Sequence, residues 1–381
     1  MRTLSLIKAD VGSTAGHLRP TETVVAAVED TIDDHTALLD DWIVFTVGDD
    51  IDILMSHERG EDDDDIHQLA WDAFQAGTAV ATEEGLYGAG QDLLEDAFSG
   101  NVKGLGPGVA ELSFVEREAE PLMIFGADKT EPGAFNQPLY TSFADPRYTS
   151  GLVLKSSIHE GFTFRVMDLE HTDSGERIID LTVPQDGWRL AALLMEPHRF
   201  GIRSIHSVAG DEPVVSVSTQ KLRHVAGEYV GKDDPVAIVR TQSDFPSPGE
   251  ILQPYGHPPF VSGAMRGSHN TIFYPIRSDE DDVPAYFDGP ALVKAIGLTL
   301  NDGVFSDPVY PFDASFWDAI REEAALDFRD FRERQGLFGP GTVGSDELEY
   351  GGWQEIITDI DDDWEMLERA GRAPAQAMSD D

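Results

Sequence analysis

The sequence has no cysteine. A disulfide frame, a thiolate zinc site and a thiol nucleophile are therefore excluded. Lysine is scarce, with seven in 381 residues, and 27 basic residues face 71 acidic ones for a formal net charge of −44. A nucleic-acid backbone requires a basic footprint, which this chain does not offer. No run approaches the ~20 uncharged apolar residues that span a bilayer. The N-terminal stretch MRTLSLIKAD reaches Lys8 and Asp10 too soon for the apolar core of a secretory signal. These absences lead us to expect a cytoplasmic protein with no membrane or nucleic-acid partner.

What is present suits a large folded core. Hydrophobic residues make up 41% of the chain, an ordinary globular share. The acids are spread along the whole length, as expected of a surface adapted to concentrated salt. At about 1 M ionic strength the Debye length is ~3 Å and self-repulsion is screened. We therefore expect a halophilic protein. The rival reading, an acidic protein that binds cations or mimics DNA, calls for clustered acids and a poorer core.

Hydrophobic periodicity places strands at 3–9, 42–47, 51–56, 108–117, 121–128, 161–169, 213–219 and 235–240. Helical spacing runs over 21–39, 66–84, 186–195, 314–335 and 346–369. Strands and helices interleave without a Ser/Gly linker, which predicts one α/β or α+β domain over 1–370 and a disordered acidic tail over 371–381. A division near 150 or 210 is the alternative.

Paired aspartates are common in this composition, and a run such as EDDDD (61–65) reads as solvated surface. Two pairs differ in context. Asp49 and Asp50 occupy the tip of an apolar hairpin, and Asp233 and Asp234 immediately precede the strand PVAIV. Asp10 and Asp128 end two further core strands. Carboxylates at strand ends can converge on a hard cation such as Mg²⁺, which takes oxygen ligands. From spacing alone, salt-adapted loop ends remain an equal reading. The Gly-rich SGNVKGLGPGVA (99–110) lacks the Walker A order, and is either a phosphate cradle or a tight turn before a strand. His17, in a loop, reads as surface on composition alone, and Arg266 beside Gly267 is a candidate phosphate contact.

Seven stretches between residue 7 and about 290 together resemble the archaeal-type bifunctional fructose-1,6-bisphosphate aldolase/phosphatase family. They are IKADVGSTAGH, VGDDIDILMSH, YGAGQDLLEDAFSGNVKGLGPGVAE, ADKTEPGAFNQPLY, AGEYVGKDDPVAIVRTQ, MRGSHN and FDGP, in the family's order. The resemblance implies a four-layer α-β-β-α sandwich, a homo-octamer and several Mg²⁺ ions per subunit. It implies two gluconeogenic reactions in one site. Dihydroxyacetone phosphate and glyceraldehyde 3-phosphate condense, and the 1-phosphate of the resulting fructose 1,6-bisphosphate is then hydrolysed. An Mg-dependent sugar phosphatase without aldolase activity is the nearest alternative, and a non-enzymatic cation-binding protein a more distant one.

Carried over by position, the resemblance implies Lys232 as the Schiff-base lysine, Tyr229 as proton donor and acceptor in the aldol step, and Asp10 as the phosphatase base. It implies metal ligation by Asp10, His17, Asp49, Asp50, Gln91, Asp128, Asp233 and Asp234. It implies substrate contacts from His17, Tyr87, Gly100, Asn101, Lys129, Gln242, Ser243, Arg266, Asp288 and Tyr350. Two positions depart from the pattern: 103 is Lys where Arg is expected, and 135 is Phe where Tyr is common. The chemistry suits these residue types. An aldolase working through an imine needs an amine and a nearby acid/base. Tyr229 and Lys232 lie three apart across a glycine, although a buried tyrosine is by itself an ordinary core residue.

The charge balance makes a direct prediction: folding and activity require high salt. Denaturant midpoints measured in dilute buffer and in about 1 M KCl should rise steeply with salt. Equal midpoints in the two would reject the halophilic reading.

Overall fold

In the computed structural model, residues 1–93, 106–170, 176–221, 232–263, 269–279, 289–335 and 352–367 are described. Their strands form two sheets. The smaller has the order β10 (Gln220–Lys221), β4 (Gly108–Phe114), β1 (Arg2–Asp10), β3 (Asp50–His57), β2 (Asp41–Val47). The larger runs β12 (Phe260–Gly263), β13 (His269–Pro275), β14 (Ala291–Asn301), β5 (Glu120–Asp128), β11 (Val236–Arg240), β9 (Glu212–Val217), β8 (Phe200–Ser207), β6 (Phe162–Asp168), β7 (Glu176–Val183), β16 (Glu365–Leu367). A short strand, β15 (Val304–Phe305), pairs with β14 off this path.

Alternation along the strands explains how the sheets stack, because successive side chains point to opposite faces. In β1, Leu4 and Leu6 join an apolar cluster with Leu122 and Ile124 of β5 and Val236 and Ile238 of β11. That cluster is the layer between the sheets. Ile7 and Ala9 of β1 point the other way, onto helices α1 (Glu22–Asp33) and α2 (Asp64–Glu84). Likewise Met123, Phe125 and Ala127 of β5 turn outward. They meet a helical layer built from α3 (Asn136–Ala144), α4 (Gly151–Leu154), α5 (Gly187–Leu194), α6 (Pro248–Leu252), α7 (Phe316–Gln335) and α8 (Gly352–Asp359). The result is the expected four-layer α-β-β-α sandwich, with three apolar layers between its four structural ones. Each sheet is buried on both faces near its centre, so its strands read as continuous apolar runs.

Local signals fix the helix ends. Thr21 caps α1 by accepting from the Val24 N–H, and Asp63 caps α2 by accepting from the Asp65 and Ile66 N–H groups. Gly85, at φ 68°, closes α2 in the left-handed conformation. The expected helix over 21–39 stops at Asp33 and gives way to a 3-10 turn at Thr36–Leu38. The expected helix over 346–369 is also shorter. Helix α8 ends at Asp359, Asp361–Asp363 form a 3-10 turn, and Glu365–Leu367 join the large sheet beside β7. Three successive aspartates at a helix C-terminus oppose its dipole, which accounts for the break. Among the described residues, no helix is long and apolar enough to cross a membrane.

Close approach of the sheets depends on Gly126 in β5, where an added Cβ would lie 2.5 Å from Val47 Cγ2 across the interface. Gly126→Ala should cost about 1–3 kcal/mol through overpacking. Urea denaturation would show this as a lower midpoint at an unchanged slope.

Candidate active site

The layer between the sheets is apolar at its centre and charged at both ends. Parity carries Lys8 and Asp10 of β1, Asp128 of β5 and the residues just before β11 to one end. Asp10 and Asp50 are register partners across β1 and β3, so the hairpin tip joins the same point. Asp10, Asp49, Asp50, Asp128 and Asp233 are all at most 6% exposed.

Two groups of ligand atoms emerge. Asp10, His17 and Asp49 form one and Asp50, Asp128 and Asp234 the other, each with atoms within 4.8 Å of one another. His17 Nδ1 is 2.7 Å from Asp49 and 3.8 Å from Asp10. The Tyr87 ring meets His17 edge-on at 5.0 Å between centroids, and the backbones of Ser13 and Tyr87 are hydrogen-bonded. Asp234 stands at φ 49° and Lys129 at φ 62°. Such strained conformations for ordinary residues persist where surrounding contacts impose them. Here the Thr130 N–H donates to Asp234 Oδ1 at 2.7 Å and the Asp234 N–H to the Thr130 carbonyl at 3.0 Å. Gly48, at φ 59°, leaves room for Asp128, whose Oδ2 would lie 1.7 Å from a Cβ there.

Three lysines enter this cluster, in a chain that has only seven. Lys8 Nζ donates to Asp50 at 2.7 Å and lies 3.7 Å from Asp234. Lys129 donates to both oxygens of Asp128 at 2.8 Å and also to Asp49. Lys232, 1% exposed, donates to Asp233 at 2.9 Å and to Asp92 at 3.3 Å. Gly108 of β4 faces the stems of two of them: a Cβ there would be 2.9 Å from Lys232 Cγ and 3.5 Å from Lys8 Cγ.

Burial and mutual repulsion set the protonation. Burial, then Asp49 and Asp92, push Asp10 well above the usual carboxylate range. Asp128 and Asp234 rise well above it too, burial being the largest cause in each, and Asp50 rises likewise. Burial carries Asp92 to about 6. Asp49 alone is held low: burial opposes this, but Lys129 and His17 outweigh it. Burial acts to discharge the lysines, but Asp50 and Asp234 keep Lys8 protonated, and Asp233 and Asp92 do so for Lys232. A set of hard oxygen donors that repel one another and gather protons fits a divalent cation of the Mg²⁺ class.

Two residues of this cluster, Lys8 and Asp92, have no counterpart among the sequence-based candidates. Strand parity from Asp10 marks Lys8, two residues earlier on the same face. Asp92 carried no local signal, lying in a 3-10 turn (Gln91–Leu93) whose first residue, Gln91, was the expected ligand. Gln242 and Ser243 do not join the cluster. They follow the far end of β11, roughly 20 Å along the strand from Asp234. There Arg240, fully buried, forms a bidentate pair with Glu120 at 3.0 Å, and Arg117 donates to the Gln242 carbonyl at 3.1 Å. Phe135 belongs to the outer core, 6.1 Å from Phe125 and 5.8 Å from Phe273 between ring centroids. Gly100, Asn101, Lys103, Tyr229, Arg266, Asp288, Tyr350 and the tail over 371–381 lie outside the described residues.

Comparison with known proteins identifies the family. A family model described as fructose-1,6-bisphosphatase matches residues 1–365. A Thermus thermophilus protein named fructose-1,6-bisphosphate aldolase/phosphatase is 48% identical over 356 residues, covering 93% of this chain and 97% of the relative. Proteins of the same name from Methanothermobacter marburgensis and Moorella thermoacetica are 43% and 42% identical. The first alignment covers 96% of this chain and 99% of the relative, the second 98% and 97%. The chain belongs to the fructose-1,6-bisphosphate aldolase/phosphatase family.

The raised carboxylates give a pH prediction for chelated protein. A folded-state pKa above the unfolded value means the folded state binds more protons, so stability is full at low pH and lost as pH rises through the folded value. Melting temperature in excess chelator should therefore fall as pH rises through about 6, where Asp92 ionises, with Asp10, Asp128 and Asp234 acting in the same direction. Saturating Mg²⁺ should flatten this slope in scanning calorimetry; an unchanged slope would argue against cation binding by these groups.

Proposed function

We propose that this chain is a cytoplasmic, bifunctional gluconeogenic enzyme that makes fructose 1,6-bisphosphate by aldol condensation and hydrolyses its 1-phosphate to fructose 6-phosphate. The observation that carries this reading is the meeting of a buried amine, Lys232, and a convergent carboxylate cluster at one end of the space between the sheets. The family resemblance supports the same assignment.

In the aldol step Lys232 attacks the ketone of dihydroxyacetone phosphate. A primary amine is required, since the imine nitrogen must bond covalently to carbon. Tyr229 is assigned the proton transfer by the resemblance. In the phosphatase step Asp10 is assigned the role of base toward water. Its carboxylate accepts the Gly12 N–H at 3.0 Å, which holds it at the end of β1. Asp10, His17 and Asp49 would hold one Mg²⁺, and Asp50, Asp128, Asp233 and Asp234 further ions, with Gln91 beside them. Bound magnesium supplies charge neutralisation at the phosphoryl oxygens and a more acidic water. Lys129, whose Nζ donates to Asp128 and Asp49 at the same site, is assigned a substrate contact by the resemblance.

Gln242 and Ser243 are expected substrate contacts, yet they stand at the other end of β11 from the cluster. A contact between copies would bring one subunit's pair to its neighbour's substrate.

Lys232→Arg should abolish condensation while leaving phosphatase activity on supplied fructose 1,6-bisphosphate, because a guanidinium does not form the imine. Borohydride trapping with dihydroxyacetone phosphate should place the adduct on Lys232 in a peptide map. Excess chelator should stop phosphate release. Aldol turnover by Lys232→Arg would remove the Schiff-base assignment, and full phosphatase activity in chelator would remove the metal assignment.

A further inference from the structure

Asp92 is 1% exposed and touches both halves of the proposed chemistry. Its Oδ2 accepts the backbone N–H of Asp10 at 3.0 Å, and the carboxylate lies 3.2–3.3 Å from Lys232 Nζ. We propose that Asp92 is a positioning residue for the aldol step, aiming the Lys232 amine at the substrate carbonyl. This rests on the reading of Lys232 as the imine-forming residue.

The argument begins with the freedom of a lysine side chain. Holding one in place costs rotamer entropy, so an amine that must meet a carbonyl in one orientation needs contacts that hold it. Asp233, whose carboxylate also accepts from Nζ at 2.9 Å, is the next residue in the chain and shares the backbone of Lys232. Asp92 comes from a different part of the fold. Its turn is tied to β1 and the residue after it, through the Asp10 N–H and the hydrogen bond from Gly90 N–H to the Val11 carbonyl at 3.0 Å. The amine is therefore placed relative to the strand that carries Asp10. The bare Gly108 admits the stem close to β4, and Asp92 holds the head.

Summed over the step, the lysine ammonium and the ketone give an iminium and water. Two N–H bonds are lost and one remains. Asp92 is placed to accept that remaining N–H, so the same contact serves before and after the bond forms.

The test compares wild type, Asp92→Asn and Asp92→Ala. In Asp92→Asn the side-chain oxygen can still accept the Asp10 N–H, while the negative charge beside Nζ is removed and the NH₂ takes the place of Oδ1, the acceptor 3.3 Å from the amine. Borohydride reduction with dihydroxyacetone phosphate should then show a maximal trapping rate lower by about tenfold or more relative to any change in phosphatase kcat. The half-saturating dihydroxyacetone phosphate concentration should stay within about threefold, since the substrate phosphate does not depend on Asp92. Trapping at the wild-type rate would overturn the proposal. So would trapping and phosphatase activity falling together in both variants, which assigns Asp92 to structure alone. Failure of wild type itself to yield a Lys232 adduct would instead remove the Schiff-base reading on which the proposal stands.

Discussion

Like-charge repulsion inside a closed space governs this molecule. Asp10, Asp49, Asp50, Asp92, Asp128, Asp233 and Asp234 crowd one end of the inter-sheet layer, and Lys8, Lys129 and Lys232 are the lysines placed among them. Burying an ion pair roughly breaks even at best, and burying a charge without a partner costs several kcal/mol. Three ammonium groups cannot balance seven carboxylates, and the raised pKa values of Asp10, Asp50, Asp128 and Asp234 express the surplus. The protein keeps the surplus at the ends of well-packed strands, where the apolar layer between the sheets holds the groups together against their repulsion.

The same constraint clarifies the use of lysine. Outside the site the chain has largely dispensed with it, and acidic residues dominate the surface. Lys8, Lys129 and Lys232 stand where a compact ammonium meets several carboxylates. Lys294, also buried, donates to the Thr46 carbonyl at 2.6 Å behind the hairpin tip. Scarcity elsewhere makes these four stand out as functional or structural necessities rather than surface decoration.

Much of this was legible in the sequence, for identifiable reasons. Segments 42–47, 51–56, 121–128 and 235–240 carry long apolar runs, and β2, β3, β5 and β11 form there. The aspartates ending such strands were candidates for convergence, because a core strand can deliver its terminal residue to a shared edge, but spacing alone left salt-adapted loop ends as an equal reading. Strands β7, β8, β13 and β14 passed unmarked, and so did helix α3. Their apolar residues are interrupted by charges or prolines whose burial depends on partners distant in sequence. The segment after α8 departs from the expected helix because the spacing of Trp364 and Leu367 with Ile356 and Ile360 suits either structure. Pairing with β7 decided it. Asp92 was hidden for a different reason: its role comes from a hydrogen bond to Asp10, 82 residues away, and no local pattern encodes that.

Gly108 has a consequence of its own. Within a strand, glycine ordinarily weakens packing. Here its bare Cα forms the floor of a slot in which the stems of Lys8 and Lys232 run side by side. Gly108 faces Lys8 directly in the register of β4 on β1, whereas Lys232 reaches the slot from the opposite sheet, just before β11. The two stems therefore meet across the space between the sheets, where a Cβ on Gly108 would lie 2.9 Å from Lys232 Cγ. The spacing of the sheets is thus part of the nucleophile's electrostatic setting, and one hydrogen atom in place of a methyl keeps it close.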